Sequence, residues 1–583
     1  MRFRWTFREQ VPDTAVAPLI EKLGLDPVLA RVLYQRGYTT PAEADAFLAP
    51  DLSSGHDPFL MSGMQTAVDR LHRALSQEEP IRIHGDYDVD GVTATALLAR
   101  VLRRMGGKVE VYIPHRTEEG YGLSLGAVRQ AAADGIQVLV TVDCGINADA
   151  EAALARELGV DLIITDHHTP ADPLPKALAI INPHLPGEAY PCTDLSGVGV
   201  AYKLALAMAP PDAEPALMEM LDLVALGTTA DVVPLVGENR VFVKWGLIQM
   251  ARTRWPGLSA LIDRVGLRRE EITASQAVFH LAPRINAAGR MTDAGEALGL
   301  LLTDDPFEAA ELASRLEKQN QERRRADEET LHRALDLIRD QGGVADRHAL
   351  VLCAENWHPG VIGIVASRLV ERYHLPTVLV SIEGETGKGS ARSISGFDLY
   401  DALAGCAEHL EAFGGHRHAA GLTLQRDHVQ EFTAAFEAIA RDRISLEELE
   451  PTIEVDLELT SDKLTDGLLE GLKRMEPFGA RNRRPVFLVR GARVEGRPRR
   501  VGSDQSHLRF AVGRDGARPV DVIGFGLGER IVELDGGRVD LVFAFEENEF
   551  RGVRRPQIRL KDLHAAASVT ADPGRAPGAA ADA

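Results

Sequence analysis

Residues 84–91 read HGDYDVDG and crowd Asp86, Asp88 and Asp90 beside His84. Carboxylates this close repel, and each needs solvent, hydrogen bonds or a cation to remain ionised. D-x-D-x-D-G opens the calcium-loop pattern, but that pattern requires a bidentate Glu at its twelfth position and a helix before the loop. The twelfth position is Leu97, and IRIH (81–84) reads as the end of a strand, so the calcium loop fails. Further acidic and imidazole groups follow: Asp143 in TVDCG, Asp166, His167 and His168 in TDHH, and Asp231 in GTTADVVPL. Singly, such a residue is more often a helix cap, a turn residue or a packing histidine. Together they form a mixed carboxylate and imidazole set that suits Mn²⁺, with Mg²⁺ or Zn²⁺ as alternatives; ligation without cysteine argues against structural zinc. Such a set can hold two divalent cations about 4 Å apart for in-line attack at phosphorus. Cations would explain why the carboxylates are tolerated.

The elements that must position these groups lie between about 81 and 183. The apolar runs IRIH, VEVYIP, VLVTVD, DLIITD and LAIINP alternate with stretches of helical spacing that end in glycine. Near-continuous apolar strands joined by helices indicate a doubly wound parallel sheet, whose functional site lies at the carboxyl ends of the strands. His84, Asp88 and Asp90, then Asp143, then Asp166, His167 and His168 fall at three such ends. A helical region follows to about 305, and 306–343 reads either as one long polar helix connecting domains or as two ordinary surface helices with a break near Gln319. A second, smaller α/β unit begins near 344 and runs to about 445. From 446 to 565, short β-rich runs with turns predict a small antiparallel barrel of OB type. The low-complexity end, 566–583, is expected to be disordered. The domain expectation is therefore 1–305 catalytic, 306–343 connecting helix, 344–445 second α/β domain, 446–565 barrel and 566–583 tail.

The 583-residue composition, 45% apolar and 26% charged, is ordinary for a globular protein of several domains. The N-terminus has no apolar leader, and no stretch reaches the ~18 uncharged apolar residues of a membrane span. Cys144, Cys192, Cys353 and Cys406 are far apart and form no CxxC, so reduced thiols and a cytoplasmic location are expected. A net charge of −21 argues against nucleic-acid binding on average, but binding depends on local patches.

HGDYDVDG, TVDCG, TDHH and GTTADVVPL resemble the four successive motifs of the DHH phosphoesterase superfamily, and GKGSARS (387–393) and FGGHRHAAG (413–421) resemble its DHH-associated domain. HLAPRINAAGRM (280–291) and WHPGVIGIVASRL (357–369) narrow the resemblance to the RecJ family of single-strand-specific 5′→3′ DNA exonucleases. The resemblance covers most of 40–565. It implies Asp88, Asp90, Asp143, His167 and Asp231 as ligands of two Mn²⁺ or Mg²⁺ ions, with Asp143 bridging. His84 matches a ligand of the related pyrophosphatases. Asp86 and His168 match positions that contact phosphate, handle protons or support the ligands. Arg284 and His358 are implied near the scissile phosphate. Single-stranded DNA is the implied substrate, in repair and recombination, with a helicase and a single-strand-binding protein as partners. Some family members carry a further C-terminal domain, and contacts ascribed to it are not expected here. The alternatives are another DHH phosphoesterase acting on oligoribonucleotides or cyclic dinucleotides, and a non-catalytic single-strand-binding scaffold. Metal-dependent release of nucleotides separates the scaffold from the enzymes.

Substrate contacts are also legible in the residues themselves. The two glycine-rich motifs set cations beside backbone N–H groups, which favours phosphate binding by Ser390, Arg392 and His416 over plain turns. Arg116 and Tyr121 in IPHRTEEGYG (113–122) follow a catalytic-domain strand, near the expected entrance for a 5′ end. Between Ala480 and Arg518 there are eleven arginines against Glu495, Asp504 and Asp515. A basic stripe on a barrel with Phe487, His507 and Phe510 nearby is how OB folds track single strands.

Overall fold

The computed structural model describes residues 3–116, 119–210, 213–514, 517–550 and 552–566. Except for Ala566, the expected tail lies outside them, as does Asp515. Near the N-terminus, β1 (Arg4–Phe7) precedes three helices that belong with the C-terminal unit described below. The catalytic sheet then forms from β2 (Ile81–Gly85), β3 (Val109–Tyr112), β4 (Val138–Val142), β5 (Asp161–Thr165) and β6 (Ala179–Ile181). All neighbours in the order β3-β2-β4-β5-β6 are parallel. The side-chain period of two explains why its strands are apolar throughout. Val138, Val140 and Val142 of β4 enter one core with Val92 and Leu97, while Leu139 enters another with Val128 and Ala152. The sheet is thus covered on both faces, as expected. Its order reverses between β2 and β4, the switch point at which an open α/β sheet forms its crevice.

The connecting helix is a single 35-residue element, Pro306–Asp340, about 50 Å long at 1.5 Å per residue. Its N-terminal half places Ala309, Leu312, Ala313 and Leu316 in the catalytic core. Its C-terminal half places Ala334 and Ile338 in the core of the second α/β domain. Between them Gln319 Nε2 donates to Thr292 Oγ1 and Glu296 Oε2, at 2.9 and 2.6 Å, and the helix runs on without a break. The second domain is a mixed sheet, in the order β10-β11-β9-β8-β7. Its strands are β7 (Leu350–Glu355), β8 (Thr377–Glu383), β9 (Thr386–Arg392), β10 (Ala412–Gly415) and β11 (Ala419–Gln425).

The C-terminal unit includes β12 (Thr452–Val455), β13 (Leu457–Glu458), β14 (Phe487–Val501), β15 (His507–Arg514), β16 (Ala517–Gly524), β17 (Arg538–Phe550) and β18 (Val553–Ala565). The last five close as a barrel through the β14–β17 pairing. One pairing, β16 with β18, is parallel, so the barrel is not wholly antiparallel. The domain boundaries differ from expectation in two places. Residues 2–49 join the barrel unit rather than the catalytic domain, because β1 pairs in parallel with β12. Trp5 stacks on His564 with centroids 4.1 Å apart and donates to Asp562. Conversely 477–483 count with the catalytic unit, where Leu235 N donates to Ala480 O and Arg240 to Pro477 O. Local sequence pattern cannot reveal such pairings, since their partners lie hundreds of residues away. Among the described residues no helix is long and apolar enough to cross a membrane.

Candidate metal centre and phosphate-binding residues

Asp88 is the N-cap of the helix Val89–Arg104 that follows β2, accepting from the N–H groups of Asp90 and Gly91. Asp90, in the first turn, is almost fully buried and accepts from Gly197 N and Val198 N at 2.7 and 2.9 Å. These donors open the helix Gly197–Met208, so a helix N-terminus supports this carboxylate. Only glycine fits at 197, where a Cβ would lie 2.5 Å from Asp143 Oδ1. Asp143 ends β4 with φ +62°, and Val232, next to Asp231, has φ +63°. Left-handed backbone is costly for non-glycine residues, above all for a β-branched one, and persists where surrounding structure imposes it. Asp231 caps the C-terminus of the helix Leu221–Ala230, where the helix dipole already favours a cation.

These elements bring the acidic groups together. Ligand atoms of Asp86, Asp88 and Asp143 lie within 4.8 Å of one another, as do those of Asp90, His167 and Asp231, and of Asp143, His167 and His168. His167 Nε2 stands 3.1 Å from Asp143 Oδ1, 3.6 Å from Asp231 Oδ2 and 3.9 Å from Asp90 Oδ2. Three buried atoms in this cluster, Asp86 Oδ1, Asp143 Oδ1 and His167 Nε2, have no hydrogen-bond partner. Buried orphans are rare, and this set of orphans is what divalent cations would satisfy. The donor set therefore fits the expected metals.

His84 is the exception. Its Nε2 lies 3.1 Å from Gly122 O and its ring stacks on Tyr112, outside all three groups. Burial pushes its pKa down to about 4. A neutral ring donating to a carbonyl is a packing histidine, so the expected ligand role is not supported by this geometry. Asp86, expected behind the ligands, instead contributes to the first triad. Asp166, expected at the same sheet edge but given no ligand role, organises the TDHH turn: Oδ1 accepts from the N–H groups of His167 and His168 and meets His168 Nδ1 at 2.7 Å. Burial pushes the Asp166 carboxyl up, but His168 and backbone donors outweigh this and hold it low. Burial lowers His168, yet Asp166 raises it overall to about 9. Tyr121 donates to Asp143 O at 3.2 Å, and its ring lies beside His168.

Burial, then mutual repulsion, raises Asp86 to about 8 and also raises Asp88, Asp90 and Asp143. Without cations the folded protein holds these protons to higher pH than the unfolded chain does. Below about pH 4 both states are protonated and nothing is lost; between about 4 and 8, stability should fall as pH rises. EDTA-treated protein should show a falling Tm across that window, with Mn²⁺ restoring it at the alkaline end. A flat Tm in EDTA would contradict the raised carboxyls.

The remaining expected residues divide. Ser390 and Arg392 lie on β9, with Arg392 Nη1 donating to Ser390 Oγ at 3.2 Å and to Ala391 O at 2.8 Å. Arg116 stands 4.9 Å above the Tyr87 ring and acts electrostatically on both Asp86 and Arg392. His358 caps the helix Pro359–Tyr373, Nδ1 accepting from Gly360 N, and burial lowers its pKa. His416 is exposed after β10. Arg284 is tied down: Nε donates to Glu317 of the connecting helix at 2.8 Å and Nη1 to His280 O at 2.7 Å.

The basic stripe is narrower than its composition. Arg484, Arg490, Arg493 and Arg509 pair with acids of their own unit, and Arg481 and Arg483 count with the catalytic unit. Arg497, Arg499 and Arg500 are exposed on β14 and make no ion pair among the described residues. Arg499 sits directly opposite Arg509, whose charge is met by Asp521 at 3.3 Å. Phe487 and Phe510 are buried in the barrel, 0% and 4% exposed, so they are not surface aromatics. The exposed ring beside His507 is Phe525, with Arg559 5.5 Å from its centroid.

A doubly wound sheet with these motifs at its switch point, joined by a long helix to a second α/β domain, defines the DHH class of phosphoesterases. The sequence matches the DHH family N-terminal domain over 80–228, the DHHA1 domain over 346–442 and the RecJ OB domain over 455–562. The chain belongs to the RecJ family of single-stranded-DNA-specific exonucleases. It is 39% identical to the RecJ of Bacillus subtilis, covering 96% of this chain and 71% of that protein. With the RecJ of Dickeya dadantii it shares 38% identity over 97% and 98% of the two chains. The crystal structure of RecJ in complex with Mn²⁺ from Thermus thermophilus superposes with a TM-score of 0.82 at 33% identity, covering 96% of this chain and 79% of that one.

Proposed function

We propose that this chain is a divalent-metal-dependent 5′→3′ exonuclease that hydrolyses single-stranded DNA to 5′-mononucleotides. The observation that carries the reading is the gathering of Asp86, Asp88, Asp90, Asp143, His167 and Asp231 at one sheet edge with three unpartnered buried ligand atoms. Asp88, Asp90, Asp143, His167 and Asp231 would hold two Mn²⁺ or Mg²⁺ ions, the metals named for the Thermus thermophilus structures. Bound there, such ions activate water and neutralise charge on the phosphate. His168, its Nδ1 fixed by Asp166, is the group oriented to give a proton to the departing 3′-oxygen. Tyr121 steadies the Asp143 turn through its hydroxyl. Arg116, Ser390 and Arg392 form the pocket for the 5′-terminal phosphate, and His358 and His416 line the approach of the second domain. Digestion of end-labelled single strands with and without Mn²⁺ tests the reading: loss of the 5′ label first, only with metal, is expected, and degradation from the 3′ end would overturn the polarity.

The barrel supplies affinity for longer strands. Replacing Arg497, Arg499 and Arg500 by Gln should reduce the slope of log K against log salt by about 2, at roughly 0.7 per phosphate neutralised. An unchanged slope in a folded variant would remove these arginines from the DNA contact. The reading places the enzyme in DNA repair and recombination in the cytoplasm, consistent with its free cysteines. A helicase and a single-strand-binding protein would supply the unpaired ends it consumes.

A further inference from the structure

The helix Val89–Arg104 starts at the carboxylate cluster, with Asp88 as its N-cap, and ends at a cavity of about 490 Å³ that none of the roles above uses. Arg100, Arg103 and Arg104 line it from this helix, and Arg254, Trp255 and Pro256 line it from the start of the helix Pro256–Val265. Leu302 and Asp304 close it. At 1.5 Å per residue, Arg103 lies about 20 Å along the helix from Asp90, so the cavity is separate from the metal centre.

The floor is a buried aromatic under a buried guanidinium. Trp255 Nε1 donates to Asp222 Oδ1 at 3.1 Å, and Arg100 lies 4.1 Å from the centre of the indole ring. Arg100 is only 9% exposed. Its Nε and Nη2 donate to Leu301 O at 3.1 and 3.0 Å, and Nη1 meets Asp304 at 2.9 Å. Arg100 is thus committed to building the site.

The rim is cationic. Arg103, Arg104 and Arg254 are exposed. Arg103 Nη2 donates to Val109 O at 3.1 Å, and this arginine makes no ion pair among the described residues. Arg104 and Arg254 share a single acid, Glu219, with Arg104 3.8 Å from it. Asp222 lies behind Trp255, where burial pushes its carboxyl up to about 7. Basic residues in a last helical turn often do no more than complement the dipole. That accounts for Arg103 and Arg104 but not for Arg254, which comes from another segment and converges on the same ring, 5.4 Å from its centre. Forked guanidiniums suit phosphate, and the volume is that of a site for a small organic ligand. Pro256 and Leu302 add an apolar wall. A nucleic-acid strand fits less well, because Asp305 and Glu308, which follow Asp304 in the chain, are exposed and would repel a longer polyanion.

We propose that this cavity is a second, non-catalytic binding site that takes a nucleoside phosphate, with the phosphates on Arg103, Arg104 and Arg254 and the base against Pro256 and Leu302.

The test is calorimetric titration of the full chain with ADP in EDTA. Saturable binding of one ADP per chain is expected. Replacing Arg103 and Arg104 together by Ala should weaken it about tenfold or more, the scale of a charge-assisted contact, while digestion of single strands by the same variant stays unchanged. Arg254→Ala, a single exposed change, should weaken ADP alone in the same way and serves if the double variant fails to fold. Arg392→Ala should leave ADP binding as it is. Absence of saturable binding, or binding indifferent to the Arg103, Arg104 and Arg254 changes, would overturn the inference, and loss in Arg392→Ala would move the nucleotide to the strand-binding groove. Single-strand binding weakened as much as ADP binding would make these arginines part of the DNA path and overturn it equally. Pyrophosphate bound as tightly as ADP would overturn the assignment of the apolar wall to a base.

Discussion

Asp143→Ala is expected to abolish nuclease activity while leaving the fold and most of the affinity for single-stranded DNA intact. Asp143 belongs to two of the three ligand groups and lies closest to His167, so its loss weakens both halves of the cluster together. Electrostatic stabilisation in such sites contributes several kcal/mol, so kcat should fall by about 10³-fold or more. The strand contacts proposed for β9 and the barrel would not involve this carboxylate. Folding should not suffer, because a buried like-charged group is being removed: the EDTA-treated variant should melt higher than EDTA-treated wild type near pH 8. Activity within a few-fold of wild type would refute a shared ligand role. A lower Tm in EDTA would show that Asp143 stabilises the cation-free protein after all.

Arg392→Ala carries the second large effect, and it is selective. A terminal phosphomonoester has more charge than an internal linkage and needs several forked donors held by fixed backbone. Arg392 is held that way, on a strand paired on both sides, with Nη1 on Ser390 Oγ. Its loss should lower kcat/KM on 5′-phosphorylated strands by about 10- to 100-fold, at 1.5–3 kcal/mol for a charged hydrogen bond. Digestion of 5′-hydroxyl strands should fall much less, so the ratio between the two substrates is the diagnostic quantity. Equal losses on both would mean that Arg392 holds internal phosphates and does not read the end.

Much of the catalytic domain was legible because its signals are local. Runs such as VLVTVD and DLIITD are apolar on both faces, which only a doubly covered parallel strand requires, and they carry their acidic residues at the carboxyl end. In a parallel sheet every strand delivers that end to the same edge, so Asp88, Asp90, Asp143 and His167 could be placed together without coordinates. The connecting helix was only half legible: its polar sequence suits one long helix or two with a break near Gln319 equally well, and the packing of its two ends into different cores decides for one. The barrel surface was harder to read. Phe487 and Phe510 were expected outside and lie inside, because a strand's facing depends on its register, and one residue of slip inverts it.

The sequence by itself determined the architecture of the sheet, the gathering of carboxylate and imidazole groups at its edge, and the family. Each follows from periodicity or from a contiguous motif. Only the tertiary structure decided that His84 turns to Gly122 O while Asp86 joins the cluster, and that β1 completes the barrel unit through β12. It also decided which arginines acids neutralise, as Glu317 does Arg284, and which stand exposed without an ion pair among the described residues, as Arg497, Arg499 and Arg500 do. A side chain's charge is written in the sequence. Its compensation depends on which distant segment folds against it, and that is settled by packing and backbone pairing across the whole chain.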